Sequence, residues 1–320
     1  MGCVKKVILA APRGYCAGVD RAVQIVERAL ETCGAPVYVR KEIVHNRYVV
    51  TELEKRGAVF VDSEEQIPEG AVCVFSAHGV SPQVRASAIE RSLQVIDATC
   101  PLVTKVHLEA KKFARGGRKI VLVGHMGHEE IEGTAGEVPD STYVIEDVDQ
   151  IENLPLDENE PVSYLTQTTL SVDDTRDVVE SLRSRFTDIA GPHSDDICYA
   201  TQNRQVAVKA LAPEADLVLI VGAVNSSNSN RMVEVAMKAG TPAHLVPDES
   251  YLEGRWLDGV ETVGVSSGAS APEVLVEGLL AKLAACGYET VETKEVTSED
   301  VTFSLPPWLR EQVGATPSPG

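Results

Sequence analysis

The sequence predicts an α/β protein made of three similar α/β lobes. Short apolar runs of strand length alternate with amphipathic helical stretches along the chain, as in proteins with mainly parallel sheets. Three cysteines, Cys16, Cys100 and Cys198, each stand at the head of a block with the same order of elements. A length of 320 residues is sufficient for two or three domains. We therefore expect an internal threefold repeat.

Each block leads from its cysteine through a helix and a strand to a first polar loop, and later to a second one. The spacing from the cysteine to the first loop is nearly constant: 29 positions from Cys16 to His45, 28 from Cys100 to His128, and 28 from Cys198 to Ser226. The second loops contain, in block order, His78, Thr168 and Ser270. Because chance rarely preserves such an order, the spacing supports the repeat.

The apolar periodicity places the individual elements. Strands are expected at 7–10 and 72–75, both in the sheet of the first block, and at 120–123 and 217–221 in the later blocks. Helices are expected near 19–32, 103–115, 202–211 and 232–239.

We expect the lobes to span residues 1–99, 100–197 and 198–290. A C-terminal segment, 291–320, is expected to pack back on the first lobe and to end in a loose tail from Glu311 to Gly320.

The charge of the chain argues against several classes of partner. Its 29 Lys and Arg residues against 48 Asp and Glu give a formal charge of −19, which repels nucleic acid and anionic membranes. No apolar run reaches the roughly 18 to 20 residues of a membrane span, and the N-terminus shows no cleavable signal pattern. We expect a cytoplasmic protein without nucleic-acid or membrane partners. An anionic substrate would need a local pocket of backbone N–H groups and neutral donors.

The three leading cysteines are candidate metal ligands. Each is predicted where a strand ends and a helix begins, and there the helix dipole stabilises a thiolate. Three thiolates suit zinc or a cubane iron–sulfur cluster in which one iron has no protein ligand. The absence of any C-x-x-C pair favours the cluster. The remaining cysteines lack the repeat and are expected to be structural thiols: Cys3, Cys33, Cys73 and Cys286.

The polar loops supply candidates for proton transfer and anion binding. His45, His78 and His128 stand at matching block positions and are interpreted as one site. Glu130 beside them is a candidate proton donor, because burial and cationic neighbours shift a carboxyl pKa in opposite directions.

Uncharged donors form a second group of candidates. Thr168 and Thr169 offer hydroxyls that pass a proton or hold a substrate hydroxyl. An anion cradle is expected from Ser226, Ser227, Asn228 and Ser270. Residues 228–230 are also expected to cap the next helix. Neither G-x-x-x-x-G-K-[ST] nor G-x-G-x-x-G occurs, so a Walker site and a dinucleotide fingerprint lack support.

Six segments carry a resemblance to a known family. They are residues 12–19 (PRGYCAGV), 45–46 (HN), 76–80 (SAHGV), 97–101 (DATCP), 166–171 (TQTTLS) and 225–230 (NSSNSN). The chain resembles the 4-hydroxy-3-methylbut-2-enyl diphosphate reductase family, which performs the last step of the non-mevalonate (methylerythritol phosphate) isoprenoid pathway. The resemblance extends from about Val7 to Pro306.

This resemblance implies a pseudo-threefold cloverleaf of α/β lobes around a central [4Fe–4S] cluster held by Cys16, Cys100 and Cys198. The open iron would bind the allylic hydroxyl of (E)-4-hydroxy-3-methylbut-2-enyl diphosphate, and two electrons and protons would remove this hydroxyl as water. The implied products are isopentenyl diphosphate and dimethylallyl diphosphate.

The resemblance also implies residue roles. The residues implied to bind the diphosphate are His45, His78, His128, Ser226, Ser227, Asn228 and Ser270. Proton delivery falls to Glu130 and Thr168, with His128 as a further catalytic residue. Thr168 and Thr169 are expected to contact the substrate.

The chain departs from the family beside Glu130, where Glu129 stands in place of a usual proline. Proline would fix φ and stiffen the loop. Glu129 is expected to loosen this loop and to raise the pKa of Glu130 by like-charge repulsion. On their own, Glu129 and Glu132 are expected to be solvated loop charges.

Without a flavin or nicotinamide fingerprint, the expected electron donor is ferredoxin or flavodoxin. A basic docking area is expected among Lys111, Lys112, Arg115, Arg118 and Lys119, which equally suit a solvated helix face. Two alternatives stay open from the sequence: a zinc-dependent hydrolase that uses the same cysteines and histidines, and a non-catalytic redox sensor.

Overall fold

The structure is a computed structural model that describes residues 5–310. Within this range the chain forms two compact units. The first unit contains residues 5–16, 121–125 and 145–300, and the second contains 17–120, 126–144 and 301–310. The predicted tail, 311–320, lies outside the described residues.

Strands and helices alternate through both units. The strands in the described range are β1 (Lys6–Ala11), β2 (Val37–Arg40), β3 (Ala58–Val61), β4 (Val72–Phe75), β5 (Gln94–Asp97), β6 (Lys119–Val123), β7 (Thr142–Ile145), β8 (Val162–Thr166), β9 (Ile189–Ala190), β10 (Leu217–Val221), β11 (Ala243–Val246), β12 (Thr262–Ser267) and β13 (Thr290–Glu295). The helices there are α1 (Ala17–Cys33), α2 (Arg47–Lys55), α3 (Pro82–Glu90), α4 (Pro101–Arg115), α5 (Glu129–Glu137), α6 (Val172–Arg185), α7 (Tyr199–Leu211), α8 (Ser227–Lys238), α9 (Glu273–Ala285) and α10 (Pro307–Arg310).

A five-stranded parallel sheet organises the first unit. Its strand order is β11-β10-β12-β1-β13. All five residues of β10 are buried, because α7 and α8 contribute apolar side chains to one face of the sheet and α9 to the other. The carboxyl ends of β1, β12 and β10 lie side by side at one edge. The loops that follow these strands lead to Cys16, Ser270 and Ser226.

The pairing of β1 corrects one prediction. We expected residues 7–10 to share a sheet with 72–75, but β1 pairs with β12 and β13, while β4 belongs to a different sheet. Val7 and Leu9 pack into the core with α9, and Ile8 and Ala10 pack into the core with α7 and α8. The apolar run located the strand correctly but carried no information about its neighbours.

A four-stranded parallel sheet with the order β3-β2-β4-β5 organises the second unit. The adjacent strands β2, β4 and β5 end at the same edge. The loops that follow them contain His45, His78 and Cys100. Parallel pairing thus explains why these three residues, far apart in sequence, belong to neighbouring loops.

A third sheet has the order β7-β6-β8-β9, in which β8 and β9 pair in parallel. Three sheets with interleaved helices confirm the α/β class with three sheet-based lobes. In the described part of the chain, none of the helices has the length and apolar character needed to cross a membrane.

Candidate functional site

The three leading cysteines stand at helix N-termini. Cys100 is the N-cap of α4, Cys198 is the N-cap of α7, and Cys16 immediately precedes α1. The sulfur of Cys198 accepts the backbone N–H of Thr201 at 3.3 Å. Such positions stabilise negative charge on sulfur. The predicted helix starts are confirmed, although segment 191–197 separates Cys198 from the strand before it.

A repeated backbone hydrogen bond fixes each cysteine. In the first unit, the N–H of Cys16 donates to the carbonyl of Ala269 at 3.3 Å, and that of Cys198 to the carbonyl of Thr168 at 3.0 Å. In the second unit, the N–H of Cys100 donates to the carbonyl of Ala77 at 3.0 Å. Each acceptor lies in a second polar loop. For Cys100 and Cys198 this loop belongs to the preceding block, and for Cys16, in the first block, it belongs to the third block. Each cysteine therefore lies beside a loop of predicted site residues.

Two arginines that sequence analysis missed also hold these cysteine turns. Arg204 on α7 is fully buried and donates to the carbonyl of Gly14 at 2.6 Å. Arg21 on α1 donates to the carbonyls of Ala98 and Thr99 at 3.2 and 3.1 Å. Burial lowers the pKa of Arg21 from its ordinary value. The sequence offered one signal for them: Arg204 follows Cys198 by six residues, and Arg21 follows Cys16 by five.

The second unit brings the three predicted histidines together. The rings of His45 and His78 are stacked with centroids 4.1 Å apart. The ring of His128 is nearly perpendicular to both, with its centroid 5.2 Å from that of His45 and 5.7 Å from that of His78. The side chains of His45 and His78 are 15% and 14% exposed, so a ligand would meet largely desolvated imidazoles. We call these three residues the histidine cluster.

His128 and Glu130 begin helix α5. His128 is the N-cap, and its Nδ1 accepts the backbone N–H of Glu130 at 3.1 Å. In a neutral imidazole the proton then resides on Nε2, which makes that atom a donor. Glu130 is only 3% exposed. The prediction that residues 129 and 130 lie in a loop was wrong, because they form the first turn of α5.

Glu129 is not the solvated charge that the sequence suggested. Its side chain is 16% exposed, and its Oε2 lies 3.1 Å from His78 Nδ1 and accepts the hydroxyl of Ser76 at 3.3 Å. Burial would raise the pKa of Glu129, but the bond to His78 and the nearby His45 and Lys41 hold it below its ordinary value. Glu132, by contrast, is exposed as expected.

The predicted anion cradle lies in the first unit, where Ser226 caps α8 and accepts the N–H of Ser229 at 3.4 Å. Helix α8 begins at Ser227, five residues before the predicted start at 232, so the expectation that 228–230 cap the helix was wrong. Asn228 is 3% exposed, and its amide oxygen has no hydrogen-bond partner among the described residues. Its amide nitrogen lies 3.7 Å from the sulfur of Met232.

The other hydroxyl candidates are also in the first unit. Thr168 and Ser270 are 5% and 7% exposed. The hydroxyl of Thr169 accepts a hydrogen bond from the amide of Gln167 at 2.9 Å, and the hydroxyl of Ser227 lies 3.5 Å from the carbonyl of Thr169.

Ser229 is a further residue that sequence analysis did not single out. It is fully buried, and its hydroxyl donates to that of Ser226 at 3.1 Å. A Cβ added at Gly222 or Gly268 would overlap Ser229. Two glycines at strand ends thus make room for the buried turn that presents the cradle.

The remaining predictions concern residues outside these groups. Cys73 is buried, and burial raises its thiol pKa to about 12, whereas Cys33 and Cys286 are exposed. Cys3 lies outside the described residues. In the proposed docking area, Lys111 pairs with Glu137 at 2.9 Å.

The comparisons with known proteins come from sequence and structure. A family model described as LytB protein matches residues 7–284. The 4-hydroxy-3-methylbut-2-enyl diphosphate reductase 1 of Mycobacterium bovis is 61% identical over 307 residues, which are 96% of this chain and 92% of that protein. The reductase of the same name from Mycolicibacterium paratuberculosis is 59% identical over the same shares.

Two solved structures are similar to the chain. The E-1-hydroxy-2-methyl-but-2-enyl-4-diphosphate reductase of Plasmodium falciparum has a TM-score of 0.94 and 36% identity, covering 97% of this chain and 98% of that one. A second, described as (E)-4-hydroxy-3-methyl-but-2-enyl diphosphate reductase and the terminal enzyme of the non-mevalonate pathway, has a TM-score of 0.63 and 31% identity. It covers 88% of this chain and 100% of its own.

Proposed function

The chain belongs to the LytB family, and from that membership we propose that it is an iron–sulfur reductase that dehydroxylates (E)-4-hydroxy-3-methylbut-2-enyl diphosphate. The reaction consumes two electrons and two protons. The allylic C–O bond breaks, the oxygen leaves as water, and the allyl group gains one proton. Protonation at either end of this group gives isopentenyl diphosphate or dimethylallyl diphosphate.

The observation that carries the proposal is the repeated setting of Cys16, Cys100 and Cys198. Each cysteine stands at a helix N-terminus and donates its N–H to the second polar loop of the preceding block. Three thiolates in equivalent settings fit a [4Fe–4S] cluster with one iron that has no protein ligand. When bound, such a cluster would pass electrons from the donor to the substrate and would offer an iron to the allylic hydroxyl. The absence of a fourth matching cysteine agrees with this donor set.

The diphosphate is assigned to the histidine cluster and to the cradle residues Ser226, Ser227, Asn228 and Ser270. Imidazole N–H groups and neutral hydroxyl and amide donors bind phosphate oxygens without adding fixed cations to an acidic protein. The buried Asn228 amide supports this role, because it can turn its NH₂ towards an anion and lose only a weak sulfur contact.

Proton delivery is assigned to Glu130 and Thr168, with His128 as a further catalytic residue. Glu130 is a buried carboxyl whose backbone N–H holds the ring of His128 through Nδ1. When it carries a proton, a carboxyl in such surroundings can donate it to the leaving oxygen or to an allyl carbon. Thr168 and Thr169 are assigned contacts with the substrate's hydroxyl end. The electrons are proposed to come from ferredoxin or flavodoxin.

The proposal is tested by metal content and turnover in the same anaerobic preparation. We expect about four iron and four acid-labile sulfide per chain. We also expect consumption of the allylic diphosphate with a one-electron donor. Replacing Cys16, Cys100 or Cys198 by Ser should remove most of both signals, whereas Cys286→Ser, at an exposed cysteine, should keep them. Zinc without sulfide would contradict the proposal in favour of a zinc hydrolase, and a cluster without turnover would favour a sensor.

A further inference from the structure

Glu129 contacts the histidine cluster through its carboxylate. Its carboxylate is bonded to His78 Nδ1 at 3.1 Å and to the hydroxyl of Ser76 at 3.3 Å. It is the first residue of α5, next to the N-cap His128. A carboxylate in an anion-binding cluster opposes anion binding unless it acts through one of the imidazoles.

The hydrogen-bond pattern decides which ring atoms can donate to an anion. A carboxylate is only an acceptor, so the proton of neutral His78 lies on Nδ1 and its Nε2 carries none. His78 can therefore donate from Nε2 only as the doubly protonated ring. The same protonation pattern applies to His45, since its Nδ1 lies 3.2 Å from Glu42 Oε2. His128 differs, because its Nδ1 is an acceptor and its Nε2 carries the proton when neutral.

The surroundings of His78 balance opposing charges. Burial lowers the pKa of His78, and His45, stacked on it, lowers it further. Glu129 and Glu42, by contrast, raise the pKa of His78. The ring of His128 is nearly perpendicular to the ring of His78, with the centroids 5.7 Å apart. In the free protein His78 is therefore mainly neutral near pH 7, and a bound anion would draw a second proton onto it.

We propose that Glu129 is a positioning residue that orients His78 through Nδ1 and stabilises its doubly protonated ring when diphosphate oxygens contact Nε2. This inference rests on the proposed function, because it assumes that the histidine cluster binds diphosphate. Its consequence is that diphosphate binding takes up a proton from solution. Glu129 acts through His78 and contacts no reacting atom.

The competing interpretation is that Glu129 only repels the anion. The two interpretations predict opposite effects of removing its charge. If Glu129 supports the imidazolium, Glu129→Gln weakens binding and lowers proton uptake. If it only repels, Glu129→Gln tightens binding.

The test uses the anaerobically purified holoprotein and inorganic pyrophosphate. Calorimetry at pH 7.5 in two buffers of different ionisation enthalpy gives both the affinity and the number of protons taken up. We expect wild type to take up a substantial fraction of a proton. Glu129→Gln should bind roughly tenfold more weakly, about one pKa unit of lost stabilisation, and should take up fewer protons. In turnover assays KM should rise, with kcat changed less than threefold.

Two further variants make the test specific. Glu132→Gln removes the same charge from the same helical turn at an exposed position, and it should bind pyrophosphate as wild type does. Glu129→Pro keeps a favourable residue at the first helical position and should reproduce the effects of Glu129→Gln in a folded protein.

Unchanged affinity and proton uptake in both Glu129 variants, or tighter binding in either, would overturn the inference. A wild-type protein that binds no pyrophosphate would overturn the proposed diphosphate site, and the role of Glu129 with it. Iron content close to that of wild type in each variant confirms that the compared proteins are intact.

Discussion

Arg204 donates a hydrogen bond of 2.6 Å to the backbone carbonyl of Gly14, so the helix that begins after Cys198 holds the turn that precedes Cys16. The same guanidinium donates to the carbonyl of Ala200 and to Glu299, each at 2.9 Å. Because Arg204 is fully buried, this network determines the relative position of two cysteine turns within the first unit. A buried cation shared among three acceptors is costly to remove.

Replacing Arg204 by Met should therefore reduce both stability and cluster content. Met fills similar space but leaves Glu299 and the Gly14 carbonyl without this donor. We expect a loss of about 3–5 kcal/mol of unfolding free energy and a clear fall in iron per chain. Urea denaturation and iron analysis measure the two effects. Lys209→Met, which removes only an exposed ion pair with Asp173, should change the free energy of unfolding by less than about 1 kcal/mol and leave the iron content unchanged. Equal effects of both substitutions would contradict this role of Arg204.

Glu130→Gln should separate binding from chemistry. The amide keeps the size of the side chain and leaves the backbone bond to His128 in place, but it cannot supply a proton. We expect wild-type iron content and pyrophosphate affinity within about threefold, with kcat reduced roughly 10²- to 10⁴-fold. Single-turnover kinetics with the prereduced protein measures this step directly. A kcat close to that of wild type would remove Glu130 from proton delivery.

Gly268→Ala should destabilise the first unit through Ser229. The added Cβ would overlap the buried Ser229 hydroxyl, and overpacking of this kind costs about 1–3 kcal/mol. Combining it with Ser229→Ala should recover part of that loss, giving a coupling energy of about 1 kcal/mol in a double-mutant cycle. Gly254→Ala is the matched control, since a Cβ there meets no atom within 4 Å. If the effects of the two substitutions simply add, the added Cβ is accommodated by other shifts and not at the expense of Ser229.

The pH dependence of the free energy of unfolding should contain a contribution from the buried His107. Its Nδ1 is bonded to Glu137 at 2.9 Å, yet burial lowers its pKa below the ordinary 6.5. Above pH 6.5 neither the native nor the unfolded state takes up a proton at this residue. Below pH 6.5 the unfolded chain is protonated first, so the free energy of unfolding falls as the pH decreases towards the native pKa.

One such group changes the free energy of unfolding by at most about 1.4 kcal/mol per pH unit. Urea denaturation at pH 7.5, 6.5 and 5.5 should show a smaller decrease in His107→Gln than in wild type. His193→Gln, at an exposed histidine, should follow the wild-type profile. An unchanged slope in His107→Gln would assign the effect to other buried histidines such as His78.

Local patterns predicted the elements well, because strand and helix periods are set by nearby residues. Strand β10 matches its predicted bounds, and the helices after Cys16 and Cys100 lie within two residues of expectation. The partners of β1 were not predictable, since the same continuous apolar strand could pair in any of the parallel sheets. Two-sided burial of Val7 and Ile8 depends on helices far along the chain.

The candidate site was also predictable only in part. The grouping of the three histidines followed from matching positions in the repeat, and their rings do lie together. Glu129 was misjudged because an acidic residue in a polar segment is usually solvated, and its contact with His78 arises only from the fold. Arg204 was missed for the opposite reason, since a charged residue within a helix normally indicates the exposed face. The assignments of ligands and catalytic residues stay predictions until the variants are made.

The place of β1 between β12 and β13 also has a consequence for synthesis of the protein. Strand β1 leaves the ribosome long before its neighbours, which end at residues 267 and 295, so its sheet cannot close until β12 and β13 have also been translated. At roughly 5–20 residues per second, that wait is on the order of half a minute. During this time an apolar strand with two unpaired edges is exposed to wrong partners, so chaperones that cover it should increase the yield of folded protein.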